Sequence, residues 1–217
     1  MSKSVVLALI TTISSILLLL FACDNSNTYK QEFYEGNFLA PEKISEIQDG
    51  DIIMRQGYGI VSSIILRSLD EDIPVSHIGI IVQDSIGQLH VIHSVSRAIS
   101  DYDGIQVDDL ERFVNQSRPN SVIITRYNNQ TQDYNGNKIS ERANHYLERK
   151  VPFDHSFNLQ DSTAFFCSEL IWRILIEVYD DDVFELYPTD NFLEKLKFSP
   201  FIDPQRFDII VNQHDSK

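Results

Sequence analysis

The sequence SHIGIIVQDSIGQLHVIHSV occupies residues 76–95 and decides the fold. Two runs rich in isoleucine and valine, 76–83 and 88–95, flank the polar, glycine-containing connection 84–87. β-Branched residues are favoured in strands, and two such runs separated by a short polar segment are typical of an antiparallel hairpin. The chain is therefore expected to contain an antiparallel sheet built around this hairpin.

Two histidines occupy positions in the hairpin that bring them together. With a turn at about Ile86, His93 lies opposite Gly79 and His77 lies opposite Val95. Opposed residues share a face of the sheet, as do residues two apart along one strand, so the two histidines become diagonal neighbours. Gly79 leaves room between them. A shift of the register by one residue would put the histidines on opposite faces.

Strand and helix patterns are mixed in the rest of the chain, without the alternation that marks βαβ units. This mixture favours an α+β fold with a mostly antiparallel sheet. A short apolar run, 52–54, follows a turn at 49–51. Apolar runs and apolar residues at helical spacing predict further strands at 121–127 and 207–211, helices at 60–69 and 141–150, and a helix capped by Ser162 or Thr163 that runs through Cys167 to about Tyr179.

The N-terminus has the layout of a secretion signal. An apolar run, 5–21, follows Lys3, as the hydrophobic region of a signal peptide follows its basic start. The run ends Leu20-Phe21-Ala22-Cys23, which resembles a bacterial lipobox. We expect residues 1–22 to be a lipoprotein signal peptide, Cys23 to carry lipid, 23–45 to be tether and lead-in, and 46–217 to be one folded domain. An uncleaved membrane helix with an incidental cysteine is the alternative.

Charge and composition limit the kinds of binding partner that we expect. The formal net charge is −14, and phosphate binding depends on clustered lysine and arginine, so nucleic acid is not an expected partner. Lipidation of Cys23 would leave Cys167 without a disulfide partner. His90 points away from His93 on a strand, because three residues separate them, and this argues against a metal pair. We therefore expect neither a metal nor a cofactor.

Cys167 and the two histidines are the residues that could perform chemistry. Near the start of a helix, the Cys167 thiol would meet the positive end of the helix dipole and free backbone N–H groups, which favour the thiolate. The same N–H groups can hold an oxyanion. His77 is a candidate base, and His93 could orient it as the third member of a triad does. The alternative is a small buried cysteine and two ordinary strand histidines.

Four segments together resemble a known family. They are Gly50-Asp51-Ile52-Ile53, Ser76-His77-Ile78-Gly79-Ile80-Ile81-Val82, Val91-Ile92-His93-Ser94 and Phe166-Cys167-Ser168-Glu169-Leu170. In this order they resemble the YiiX-like permuted papain-fold hydrolases, circularly permuted relatives of the NlpC-type peptidoglycan peptidases. In the ordinary NlpC order the cysteine comes before the histidine strand, whereas here it follows.

The resemblance implies that 46–217 is a circularly permuted papain-like hydrolase domain, with a cysteine-bearing helix packed on an antiparallel sheet. In this fold Cys167 is the nucleophile, His77 the base and His93 the orienting residue. It also implies an enzyme that cleaves an amide bond, for which the expected substrate is a peptidoglycan peptide. Glu169, two residues beyond the cysteine on a helix, is interpreted as structural. A lipid ester or acyl-transfer enzyme acting on a lipid-linked substrate and a non-catalytic envelope-binding module remain as alternatives. With Cys23 lipidated, the expected location is the bacterial cell envelope, on a membrane that the sequence does not specify.

Overall fold

The computed structural model describes residues 36–128, 135–185 and 192–214. All of them fall within one compact unit, Glu35–Lys217. The expected signal peptide and Cys23 lie outside the described residues. Within those residues, no helix has both the length and the apolar character needed to cross a membrane.

The described strands form a six-stranded sheet in which every neighbouring pair is antiparallel. The order across the sheet is β4-β3-β2-β1-β5-β6, so the predicted α+β class with an antiparallel sheet is confirmed. The strands are β1 (Ile52–Arg55), β2 (His77–Gln83), β3 (Leu89–Val95), β4 (Gly104–Asp109), β5 (Ile123–Tyr127) and β6 (Phe207–Asn212).

The hairpin of β2 and β3 has the predicted register. Ile80 lies opposite Ile92, and the same register, continued toward the open end, puts His93 opposite Gly79. The turn is held by Asp84, whose carboxylate accepts two backbone N–H groups of the connection. A short polar side chain that binds its own backbone is a common way to fix a turn.

The first helix precedes β1 in the sequence, and the others lie in the segments that connect the strands. The helices are α1 (Pro41–Ile44), α2 (Gly59–Leu69), α3 (Leu110–Asn115), α4 (Gly136–Glu148) and α5 (Cys167–Tyr179), with short 3-10 helices at Phe192–Leu196 and Ser199–Ile202. Helix α4 begins before the predicted position 141, because the Asn135 side chain accepts the N–H of Asn137 and caps the helix there.

Each face of the sheet carries its own core. Helix α5 buries Leu170 and Ile174 on one face, in the same cluster as the strand residues Ile80 and Ile92. The other face buries a second cluster that includes Phe113 of α3. A fully buried aliphatic or aromatic side chain stabilises the fold by about 1.5–3 kcal/mol, so both faces fix the position of the central strands.

Strand β4 and helix α3 were not predicted from the sequence. The strand segment GIQVDD is short, contains only two β-branched residues and leaves Val107 partly exposed, so its strand pattern is weak. The structure pairs it along β3, with His93 opposite Gln106. This pairing brings Asp108 to the face of the sheet that holds His93, because residues two apart on a strand share a face.

Candidate active site

Cys167 is the first residue of helix α5. The preceding residue, Phe166, has extended backbone angles and is the N-cap. The predicted cap was wrong: Ser162 and Thr163 lie outside the helix, and the Thr163 hydroxyl donates to Asp161 instead. The consequence is that the cysteine sits in the first turn, where backbone N–H groups have no acceptor within the helix.

The start of the helix is fixed by buried polar contacts. Ser94 of β3 donates to the carbonyl oxygen of Phe165 at 2.6 Å. The N–H of Phe166 donates to the Glu169 carboxylate at 3.4 Å, and Arg173 pairs with the same carboxylate at 3.3 Å. Burial raises the pKa of Glu169 to about 7, against the lowering effect of Arg173. Glu169 thus supports the helix start, as the sequence predicted.

The two histidines form a hydrogen-bonded chain with Asp108. His77 Nε2 and His93 Nδ1 are 2.8 Å apart, and His93 Nε2 lies 3.2 Å from a carboxylate oxygen of Asp108. The structure therefore brings together the two histidines that the hairpin register predicted. It adds Asp108, which sequence reasoning missed. If β4 had been predicted, Asp108 could have been found, because it lies two residues from the position opposite His93 and therefore on the same face.

The hydrogen bonds between these three side chains determine which imidazole nitrogens carry protons. An ionised carboxylate only accepts, so His93 must donate to Asp108 from Nε2. A neutral imidazole has one donor and one acceptor, so Nδ1 of His93 then accepts the proton of His77 Nε2. By the same rule, Nδ1 of a neutral His77 carries a lone pair. The arrangement leaves His77 able to take up a proton at Nδ1.

Electrostatics agree with this assignment. Burial, followed by the neighbouring His93 and Arg55, holds the pKa of His77 well below its ordinary value of 6.5. Burial also lowers the pKa of His93, although the hydrogen bond to Asp108 opposes the effect. The hydrogen bond from His93 is the main cause that lowers the pKa of Asp108. At neutral pH both histidines are therefore neutral, and Asp108 is a carboxylate.

The Cys167 thiol lies against the backbone of the histidine strand. The N–H groups of Ser168, Cys167 and Ile78 lower the pKa of the thiol, but burial outweighs them and raises it to about 11. Ile78 is the residue that follows His77, so the sulfur lies at the backbone of the strand that carries the candidate base. The expectation of a thiolate at the helix start was wrong, because the desolvation of a negative sulfur exceeds the effect of the N–H groups.

A wide cleft contains the thiol and the histidine chain. Its volume is about 1870 Å³, and Cys167, His77, His93 and Asp108 all line it. One wall is apolar and comes largely from helix α2, with Ile64 of that wall 56% exposed. The site is therefore open to a large ligand, and the reactive groups lie together within it.

His90 lies apart from this site, as its position on the strand predicted. Its ring nitrogens pair with Asp84 at 3.2 Å and Asp109 at 3.0 Å. Asp109 follows Asp108 directly, so the two carboxylates of β4 serve different histidines on opposite faces of the sheet.

Comparison with known proteins identifies related sequences and folds. A family model described as "Permuted papain-like amidase enzyme, YaeF/YiiX, C92 family" matches residues 46–200. The crystal structure of the metalloprotein yiiX from Escherichia coli O157:H7 is similar with a TM-score of 0.56 at 19% sequence identity, covering 77% of this chain and 98% of that one. At 19% sequence identity, this structural similarity supports a common fold only. A comparison with curated proteins finds no match.

The yiiX protein is described as a metalloprotein, but the residues here do not form a metal site. His77 and His93 are hydrogen-bonded to each other at 2.8 Å, so their facing nitrogens have no space for an ion between them. Across 36–128, 135–185 and 192–214, no group of three or more His, Cys, Asp or Glu side chains could hold a metal ion. A protein metal site generally needs at least three such ligands.

Proposed function

The chain belongs to the family of permuted papain-like amidases that includes YaeF and YiiX, and from this membership we propose that Cys167 and His77 hydrolyse an amide bond. The protein is thus a cysteine hydrolase of the amidase type. The observation that carries the assignment of residues is the hydrogen-bonded chain from His77 through His93 to Asp108, which lines the same cleft as the Cys167 thiol.

The reaction starts from a neutral thiol and a neutral imidazole. Burial raises the pKa of Cys167 to about 11 and lowers the pKa of His77, so an ion pair is not the resting state. Nδ1 of His77 takes the thiol proton as the sulfur attacks the substrate carbonyl carbon. General-base catalysis of this kind requires a base that is unprotonated at the working pH.

His93 and Asp108 support the proton transfer. When His77 becomes an imidazolium, its Nε2–H donates to His93, which in turn donates to the Asp108 carboxylate. The negative charge of Asp108 stabilises the new positive charge through the chain. His93 is therefore a positioning residue that fixes the ring and tautomer of His77.

The backbone N–H of Cys167 donates to the oxyanion of the tetrahedral intermediate. Collapse of this intermediate breaks the C–N bond, and His77 returns its proton to the leaving amine. The acyl group is left on sulfur as a thioester. Water, deprotonated by His77, then attacks the thioester carbonyl and releases the acid and the thiol.

We propose a peptidoglycan peptide as substrate and the cell envelope as location. The lipobox-like ending at Cys23 supports an anchored envelope protein, and the amidase family supports an amide substrate. The apolar wall of the cleft on α2 favours a second candidate, a lipid-linked ester or acyl substrate.

Digestion of purified peptidoglycan by the purified protein, with products read by mass spectrometry, tests this function. New amine and carboxyl ends are expected with the wild type. Cys167→Ala and His77→Ala should each reduce the rate by about a thousandfold or more, because nucleophile and base act as a unit.

Asp108→Asn should slow the same digestion by about 10- to 100-fold, less than the loss of a carboxylate bonded directly to the base. Asp109→Asn is the matched control on the same strand and should leave the rate unchanged, since Asp109 pairs with His90. Release of acyl chains from lipid vesicles without peptidoglycan cleavage would favour the lipid substrate. Activity that survives in Cys167→Ala would contradict the proposal.

A further inference from the structure

Arg55 places a positive charge beside the proposed base. It is the last residue of β1 and lies opposite His77 on β2, and side chains at paired strand positions are neighbours. The guanidinium stacks over the ring of Phe113, 3.9 Å from its centre, and Nη1 donates to the carbonyl oxygen of the same residue. Arg55 lines the same cleft as Cys167.

One hydrogen-bond donor of Arg55 has no acceptor. Nε is buried and unpartnered. Asp108 is close enough to raise the pKa of Arg55. Its carboxylate is paired with His93 and Arg112, however, and not with Arg55. Burial nevertheless lowers the pKa of Arg55 to about 10. A buried charge without an ion-pair partner costs free energy, and the planar fork of a guanidinium matches a carboxylate.

We propose that Arg55 binds a carboxylate of the substrate, so that the protein prefers amides with a free carboxylate close to the scissile bond. The ligand class is a carboxylate-bearing peptide. This proposal rests on the proposed function for the identity of the reacting groups. It explains why a cation is held without an ion-pair partner in the described part of the chain, next to the base and within the cleft that holds the nucleophile.

Two alkylating reagents test the proposal without requiring a known substrate. Iodoacetate and iodoacetamide deliver groups of nearly the same size to the same thiolate, but only iodoacetate carries a carboxylate. The ratio of their rates therefore cancels any change in thiol ionisation. Rates at Cys167 are measured by peptide mass spectrometry, so that Cys23 does not contribute, with glutathione as the reference thiol.

The iodoacetate-to-iodoacetamide ratio at Cys167 should exceed that of glutathione by about threefold or more. A nearby positive charge raises the rate at which an anionic reagent reaches the thiolate. Arg55→Met should remove this excess, and Arg55→Lys should keep part of it. Arg97→Gln is the control, because Arg97 lines the cleft but is exposed, and it should change the ratio little. An unchanged ratio in folded Arg55→Met would overturn the proposal.

If Arg55→Met does not fold, the wild-type ratio decides, since a ratio no higher than that of glutathione would overturn the proposal by itself. A pair of peptides with free and amidated C-terminal carboxylates gives the second readout. The wild type should cleave the free acid faster, and Arg55→Lys should reduce the difference. Failure to cleave either peptide counts against the amide-hydrolysis function, whereas cleavage of both at equal rates counts against Arg55 alone.

Discussion

Proton positions at the site follow from the carboxylate at one end of the chain. Asp108 can only accept, and this fixes in turn the donor nitrogen of His93 and that of His77. Burial keeps both rings neutral by lowering the pKa of each. The thiol, whose pKa burial raises to about 11, is neutral as well. The proposed reaction therefore depends on transfer of the thiol proton to His77 during the attack.

The pH profile of Cys167 alkylation tests this resting state. An ordinary cysteine thiol has a pKa of 9.0, whereas burial raises the pKa of Cys167 to about 11. In the free protein, the rate of alkylation by iodoacetamide should therefore still increase as the pH rises above 9.0. His77→Ala should not raise the midpoint further, since His77 is neutral in the resting state. A reactive plateau below pH 7 that disappears in His77→Ala would instead reveal a thiolate–imidazolium pair.

The acid limb of kcat/KM belongs to the same pH prediction. His77 must be neutral to accept the proton, and its pKa lies well below 6.5. The rate should therefore hold its plateau as the pH falls to 6.5 and decline only at lower pH. Below 6.5 His77 and His93 bind more protons in the unfolded chain than in the folded one, so their contribution to the free energy of unfolding should fall as the pH drops. Glu169, whose pKa burial raises to about 7, contributes in the opposite direction. Urea denaturation at several pH values measures the free energy of unfolding.

At the scale of elements, the hairpin of β2 and β3 positions the base. Its register depends on the period-two pattern of the strands and on the turn at Asp84. Gly79 is the point of close approach between the strands. A Cβ there would lie 2.6 Å from Cγ1 of Val91, 3.0 Å from the carbonyl oxygen of Ile92 and 3.1 Å from Cβ of His93.

Gly79→Ala should lower the free energy of unfolding by about 1–3 kcal/mol, the usual cost of overpacking a buried site. It should also slow catalysis, because the added Cβ would crowd His93 as well as displace Val91. Urea denaturation and a rate measurement on the same sample check both effects. Gly57→Ala is the control for stability, since the nearest atoms to its Cβ lie 3.8 Å away. Equal stability of the two variants would show that the hairpin has room at position 79.

At the scale of the whole molecule, the lipid anchor would set where the cleft operates. Residues near the start of the described part already pack on the domain. Asn37 donates to Ser117 and Gln213, and Leu39 is buried. The packed domain therefore extends back to Asn37, and the proposed lipid at Cys23 would attach this domain to a membrane.

Cys23→Ser should release the protein from the membrane fraction or leave it as an uncleaved precursor. Membrane attachment depends on acyl chains, and each buried CH₂ group contributes about 0.8 kcal/mol. Fractionation and intact mass measurement of the N-terminus check the result. Cys167→Ser, which changes the other cysteine, should remain attached. A mature N-terminus elsewhere, with no added lipid mass, would refute the anchor.

The sequence by itself determined the α+β class, the hairpin and its register. These features depend on local signals, namely β-branched runs, a polar turn and a glycine at the crossing point. From the register alone, His77 and His93 could be placed side by side. The order of the histidine strand and the cysteine helix also indicated the permuted family.

Tertiary structure decided the remainder of the site. Asp108 reaches His93 only because a weakly patterned strand pairs along β3, and no local signal marks that pairing. Arg55 stacks on Phe113 and has no ion-pair partner in the described ranges, and its position in the sequence does not reveal these surroundings. The pKa of Cys167 was expected to fall and instead rises. Its value depends on how completely the folded chain removes water from the sulfur, and burial of this kind arises from contacts between segments far apart in sequence.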